Sequence, residues 1–244
     1  METLANDHPQ PIPVSFVFDD GFTASCLKIA DVFESRGLRA TFAVLVDHDG
    51  FMPDFPKGDF QLWNELLDRG HEIHPHGLDH SDLTTISHED ADRMIDDCLN
   101  FFQENLSDFK VADTVYHLTY NRSTPSIDSH LLNRVAAIRT NGKTSKSGTG
   151  LNTLNDLSSR IIKCTGHGPG HCDEHLQQCL SHAEESNAAQ FCYMLHGLDN
   201  EGWGPISQQG LEESLDTILV SNRLFYQPIG SFVLEHVKPA SANG

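Results

Sequence analysis

Two adjacent carboxylates, Asp19 and Asp20, end the apolar run Val14-Ser-Phe-Val-Phe18 and are followed at once by Gly21. Carboxylates seldom bury without a partner, so the run predicts a buried strand that delivers both acids to its C-terminal mouth. In α/β folds that mouth is where chemistry collects. Neighbouring strand-end residues point different ways, which lets one acid bind a metal while the other handles a proton. The bland alternative is a turn whose acids face solvent. A second cluster, Pro75-His76-Gly-Leu-Asp-His80, spaces two imidazoles four residues apart, on one face of a helix or converging across a loop. With Asp20 they compose a two-histidine, one-carboxylate set that leaves positions open for water and substrate. Zinc suits such a set, and so do iron, cobalt and manganese. His71, His74 and His88 lie nearby as decoys. A third candidate, His196, terminates the apolar run Phe191-Cys-Tyr-Met-Leu195 as the acids terminate theirs. Imidazole titrates in the range a general acid needs, and Asp173 or Asp199 would orient it. The chain holds 15 histidines, so each assignment competes with a histidine that merely bonds its own surroundings.

Other polar groups compete for attention. Cys164, His167, His171, Cys172, His175 and Cys179 carry metal-binding side chains, but glycines and a proline interrupt them and the spacing matches no standard finger. Three readings stay open: a structural zinc site, a disulfide between two of Cys164, Cys172 and Cys179, or unpaired cysteines. Trp203, in the loop after His196, either stacks on a sugar ring or anchors that loop. Phe51 and Phe55 either line a groove or tuck into the core. Asn121-Arg122-Ser123 matches the N-glycosylation pattern, yet it sits beside the expected mouth, where a bulky glycan is out of place. Gly166, Gly168 and Gly170 lack the lysine and the strand–helix setting of a nucleotide loop.

The elements that must position these groups alternate β then α. Strands are expected at 14–18, 40–46, 71–74, 113–118, 161–164, 191–195 and 231–234. Helices are expected at 24–36 with Thr23 as cap, 59–69, from Ser87 as N-cap to about Asn105, 127–137, 173–186 and 207–221. Residues 1–13, with three prolines, read as an extended lead-in, and 14–244 as one domain. The stretch 140–150, carrying Lys143 and Lys146, reads as a surface loop. Right-handed crossovers turn such an order into an incomplete barrel or an open doubly wound sheet.

Composition narrows the partners. There are 35 acidic residues against 16 Lys and Arg, a net charge of −19, which opposes a nucleic-acid backbone and an anionic membrane. Neutral carbohydrate is untouched by that argument. Six cysteines in 244 residues are too sparse for a disulfide-built scaffold. No run of 18 apolar residues predicts a transmembrane segment. The first residues lack the basic-then-apolar order of a secretory signal, which leaves the compartment open: secreted or cell-surface if a signal has been removed, otherwise cytoplasmic.

Taken in order, Phe16-Val-Phe-Asp19-Asp20-Gly21, then Gly70-His-Glu-Ile73 leading into His76-Gly-Leu-Asp-His80, then Leu195-His196, resemble the successive motifs of the polysaccharide deacetylases, the NodB-homology or carbohydrate esterase family 4 enzymes. The resemblance runs from about residue 12 to about residue 235. It implies a distorted (β/α)7 barrel, a divalent metal with zinc as first choice, and hydrolysis of an acetyl group from an N-acetylated or O-acetylated carbohydrate. Position by position it implies Asp19 as catalytic base, Asp20, His76 and His80 as metal ligands, and His196 as catalytic acid. The family's third motif is usually Arg-Pro-Pro-Tyr; the matching place here reads His117-Leu-Thr-Tyr120-Asn121. Tyr120 would offer its backbone N–H to an oxyanion. His117 stands where an arginine normally steadies the base, and Arg122 is the nearby substitute. The fourth motif, an Asp-Trp pair, has no counterpart between 141 and 175. These departures mark a divergent branch and leave the substrate open between polymer, short oligosaccharide and monosaccharide. Two rivals are a hydrolase of another non-peptide C–N bond on the same barrel and a non-catalytic carbohydrate- or partner-binding barrel. Retention of all five principal residues argues against the latter. Oligomeric state is not legible.

Overall fold

The computed structural model describes residues 10–143 and 148–237. In chain order its strands are β1 (Ile12–Asp20), β2 (Thr41–Leu45), β3 (Glu72–Gly77), β4 (Val115–His117), β5 (Ala137–Arg139), β6 (Leu151–Asn152), β7 (Ile161–Ile162), β8 (Gln190–Leu195) and β9 (Leu224–Tyr226). The helices between them are α1 (Thr23–Glu34), α2 (Phe60–Asp68), α3 (His88–Asn105), α4 (Pro125–Leu132), α5 (Leu154–Ser158), α6 (Cys172–Glu185), α7 (Gln208–Val220) and α8 (Ile229–His236).

Every residue of β1 is buried, as a strand apolar on both faces must be when helices cover one side and a barrel interior the other. It pairs in parallel with β2 and with β8, and β2 pairs in parallel with β3. A second parallel sheet joins β4, β5 and β7. Just past β7, Thr165 bridges in parallel to Tyr193, its N–H donating to Cys192 at 3.2 Å and its carbonyl accepting from Met194 at 2.7 Å. The seven parallel strands therefore follow one another as β8-β1-β2-β3, then β4-β5-β7 and back towards β8. Among the described residues no backbone ladder joins β3 to β4. Side chains cross that seam instead: His74 Nδ1 bonds Thr114 Oγ1 at 2.8 Å, and His76 Nδ1 donates to the His117 carbonyl at 2.9 Å. This is the distorted (β/α)7 barrel of the NodB-homology type, with β6 added antiparallel to β8 and β9 alongside the start of β1.

Local chemistry explains where the elements begin. Ser87 caps α3 as expected, its Oγ accepting from the Asp90 N–H at 3.1 Å, while Ala91, Ile95, Leu99 and Phe102 bury one face. Thr23 does not cap α1; it is the first helical residue. The free amides there are satisfied from outside the helix: Thr23 N–H donates to the Pro56 carbonyl, and Ser25 N–H to the Glu201 carboxylate at 2.6 Å.

Three expectations are corrected. The stretch 231–234 is not a strand but part of α8. Glu72 accepts from the Gly230 and Ser231 N–H groups at 2.8 and 2.7 Å, satisfying the amides of the first helical turn with a negative charge. Ile229, Phe232 and Val233 are buried while Leu234 is exposed, a helical spacing that a short apolar run does not reveal. The first strand begins at Ile12 rather than 14, because burial and pairing with Leu224 start there. The helix expected at 127–137 ends at Leu132, and a strand that was not expected, β5, begins at Ala137. Residues 1–9 of the expected lead-in, and Lys146 with its neighbours 144–147, lie outside the described residues. No helix among the described residues is long and apolar enough to cross a membrane.

Candidate metal centre and active site

At the end of β1 the chain turns through two left-handed residues, Asp20 at φ 74° and Gly21 at φ 78°. Aspartate tolerates that conformation better than most side chains. Glycine is required next, since a Cβ on residue 21 would come within 2.8 Å of Trp63 Cζ2. The turn sends the two acids to different partners. The Oδ2 atom of Asp19 accepts from Arg139 Nη2 at 2.7 Å, both residues being buried. The Oδ1 atom of Asp20 lies 3.4 Å from His76 Nε2 and 3.5 Å from His80 Nε2.

His76 sits on β3 itself, not in the loop after it. A carbonyl can only accept, so the bond from Nδ1 to His117 places the ring proton on Nδ1 and leaves the Nε2 lone pair facing the acids. One donor atom from each of Asp20, His76 and His80 lies within 4.8 Å of the others. Asp20 Oδ1 is buried and takes no hydrogen bond among the described residues. A buried carboxylate oxygen between two imidazole nitrogens, one of them oriented through its far side by a carbonyl, fits a divalent cation.

His196 follows β8 and reaches the same mouth, with Trp203 edge-on to its ring at 5.2 Å. Together Asp19, Asp20, His76, His80, Tyr120 and His196 line one cavity of about 430 Å³, whose walls include Phe51, Met52 and Trp203. Tyr120 lies on a short turn in the left-handed region (φ 55°), as does Asn121 (φ 52°). Burial raises the Asp20 carboxyl, but the His76, His196 and His80 imidazoles outweigh it and bring the pKa down to about 2. Burial lowers His76, yet Asp19 and Asp20 reverse the effect and raise it. Burial and the neighbouring His76 carry His80 down to about 4. His196 is also lowered by burial, against the pull of the two acids.

The support for Asp19 differs from the sequence expectation. His117 does not replace the family's arginine: its ring is buried with neither nitrogen bonded among the described residues, and burial together with Arg139 holds its pKa well below the ordinary value. Its part is to lend its carbonyl to His76. Arg122 is no substitute either, because it pairs with Asp82 at 2.6 Å. Arg139, at the end of β5, makes the contact. The signal was present in the sequence: an arginine closes the short apolar run Val135-Ala-Ala-Ile138 as Asp19 closes its own. Neither Asp173 nor Asp199 orients His196. Asp173 accepts from the Ser207 N–H and Asp199 from the Gln208 N–H.

The cysteine–histidine stretch resolves to unpaired cysteines. All six are free thiols, and among the described residues the one group with metal-binding geometry is Asp20, His76 and His80. His175 Nδ1 bonds the Tyr193 hydroxyl at 2.8 Å with His167 stacked on its ring, and the Cys172 thiol donates to the His167 and Gly204 carbonyls. His171, just before α6, has a side chain that is 86% exposed. Asn121 turns its amide to Met194 Sδ inside the cavity wall, no place for a glycan. Trp203 is 44% exposed at the rim, so it is not a buried anchor. Phe51 stacks on His80, whereas Phe55 packs on the buried Phe22.

Comparison with known proteins places the chain among relatives of one family. The family model for polysaccharide deacetylase matches residues 6–133. A probable peptidoglycan-N-acetylglucosamine deacetylase of Arthroderma benhamiae is 32% identical over 74 residues, which is 30% of this chain and only 16% of that protein's length. The chitin deacetylase of Colletotrichum lindemuthianum superposes with a TM-score of 0.61 at 18% identity, covering 96% of this chain and 91% of that one. A family 4 acetyl xylan esterase from Clostridium thermocellum, solved with a cobalt ion, gives 0.55 at 18% identity, covering 92% of each. At these identities the superpositions establish the shared fold.

Proposed function

The chain belongs to the polysaccharide deacetylase family, and on that premise we propose that it hydrolyses an acetyl group from an N-acetylated or O-acetylated poly- or oligosaccharide, with a divalent metal, zinc by preference. The observation that carries this reading is the convergence of Asp19, Asp20, His76, His80 and His196, from three strand ends, on one cavity. Asp20, His76 and His80 would hold the cation, which supplies a polarised acetyl carbonyl and a more acidic water. Asp19 takes the proton of the attacking water. Its Oδ1 is unbonded among the described residues, and Arg139 fixes the other oxygen, so the carboxylate is aimed before substrate arrives. The Tyr120 N–H donates to the developing oxyanion, where a donor fixed in advance helps most. His196 then gives its proton to the leaving amine or alkoxide. Trp203 stands where it can stack on a sugar ring.

The test combines metal analysis with acetate release. The purified protein should hold about one divalent ion, and His76→Ala should lose it. Asp19→Asn should retain metal but release acetate at least about 100-fold more slowly, the scale of a lost general base. Unchanged metal in His76→Ala, or wild-type turnover by Asp19→Asn, would sink the reading. A panel of N-acetyl and O-acetyl glycans of graded length assigns the substrate.

A further inference from the structure

The two histidines of the candidate metal centre are held in different ways. His76 has the usual arrangement, its far nitrogen donating to a carbonyl. His80 lacks it. To present its Nε2 lone pair to a cation the neutral ring must carry its proton on Nδ1, and that atom is buried without a hydrogen-bond partner among the described residues. Rotation of the ring is opposed by two aromatic contacts instead. Phe51 lies flat on it, centroids 4.0 Å apart and planes 9° from parallel, and Tyr120 meets it edge-on at 4.6 Å.

Phe51 belongs to a loop with no regular structure, between β2 and α2, so something must place its ring. Lys57 does. Its ammonium donates to the carbonyls of Phe51, Met52 and Phe55, and lies 5.3 Å from the Phe51 ring centroid. The same residue pairs with Phe22, and the next donates from the Gly58 N–H to the Gly21 carbonyl at 2.9 Å. The loop is thus tied to the turn that carries Asp20.

We propose that Phe51, pinned by Lys57, is a positioning residue for His80: an aromatic clamp that substitutes for the missing hydrogen bond and sets the affinity of the centre for its cation. This rests on the metal centre proposed above. The loss of an orienting partner behind a ligating histidine typically weakens metal binding about 10- to 100-fold, and the clamp should be worth as much.

The experiment measures zinc dissociation constants by competition with a chromophoric chelator, for the wild type, His76→Ala, Phe51→Leu, Phe51→Tyr and Lys57→Met. Urea unfolding of each metal-free protein runs in parallel. Phe51→Leu keeps an apolar side chain but no flat face, and should bind zinc about 10- to 100-fold more weakly with an unchanged metal-free unfolding midpoint. Phe51→Tyr restores the face and should bind within about threefold of wild type. Lys57→Met, which leaves every cavity side chain in place, should weaken binding in the same direction and carries the test if Phe51→Leu does not fold. Wild-type affinity in both Phe51→Leu and Lys57→Met overturns the clamp, and so does a loss in Phe51→Tyr equal to that in Phe51→Leu. If His76→Ala also binds like wild type, the metal centre itself has failed; if His76→Ala loses zinc while Phe51→Leu does not, only the clamp has.

Discussion

Replacing Arg139 by methionine removes the guanidinium bonded to Asp19 while keeping most of the side-chain volume. Arg139 is fully buried and Asp19 nearly so, with 2.7 Å between Nη2 and Oδ2. Two unit charges about 4 Å apart at an effective dielectric of about 20 attract by about 4 kcal/mol. Removing one partner of a buried pair typically costs about 3–5 kcal/mol, because the other charge is left without compensation. Against a total stability of about 5–15 kcal/mol that loss is large but survivable. Arg139→Met should therefore lower the unfolding free energy by about 3–5 kcal/mol in urea titrations with chelator present. Asp19→Asn alone should also destabilise, since it strands the arginine. The double variant is the decisive arm: with both charges gone it should be more stable than the two losses summed, by about 1–3 kcal/mol of coupling. Strictly additive losses would refute the pairing as the source of the energy. In acetate release, Arg139→Met should lower kcat with little change in KM, because the arginine touches Asp19, the proposed base, and does not line the cavity.

Glu72 gives a pH-dependent case at the opposite end of the barrel. Burial raises its carboxyl, but His74, Ser231 and the Gly230 amide outweigh it and leave the pKa below the ordinary value. A depressed carboxyl contributes its stability above the unfolded pKa of about 4.3 and loses it as pH falls through the folded value. Glu72→Gln should cost about 1–3 kcal/mol at pH 7, the scale of hydrogen bonds to a charged group, with the gap to wild type closing below about pH 4. A gap independent of pH in urea titrations between pH 7 and 3 would contradict this. Trp203→Ala should raise KM for an oligosaccharide about 3- to 10-fold with kcat little changed, as expected for a ring contact worth about 0.5–1.5 kcal/mol. An equal fall in kcat would place Trp203 with the reacting groups.

Asp19, Asp20 and His196 were legible from sequence because each follows directly on an apolar run. Val14 to Phe18 cannot be exposed, so Asp19 and Asp20 had to stand at a mouth; Phe191 to Leu195 forced the same on His196. That logic finds residues at the ends of long buried strands. It did not find Arg139, since β5 is three residues long and the run from Val135 to Ala137 reads equally well as the end of a helix. It misread 231–234 for the same reason: four apolar-rich residues do not show whether their period is two or 3.6.

Sequence by itself determined the β–α alternation as far as β4, the strand β8, and a set of acids and imidazoles whose types suit a divalent cation, because burial and ligand chemistry are properties of residue types. Tertiary structure alone decided who supports whom. Arg139 rather than His117 or Arg122 meets Asp19, a carbonyl orients His76 where a ring face holds His80, and Cys164, Cys172 and Cys179 stay apart. Those choices turn on angles and separations of an ångström or two between residues that can lie more than a hundred positions apart in the chain. A residue pattern can place Arg139 at a strand end, but which partner each group meets is fixed only when the barrel closes.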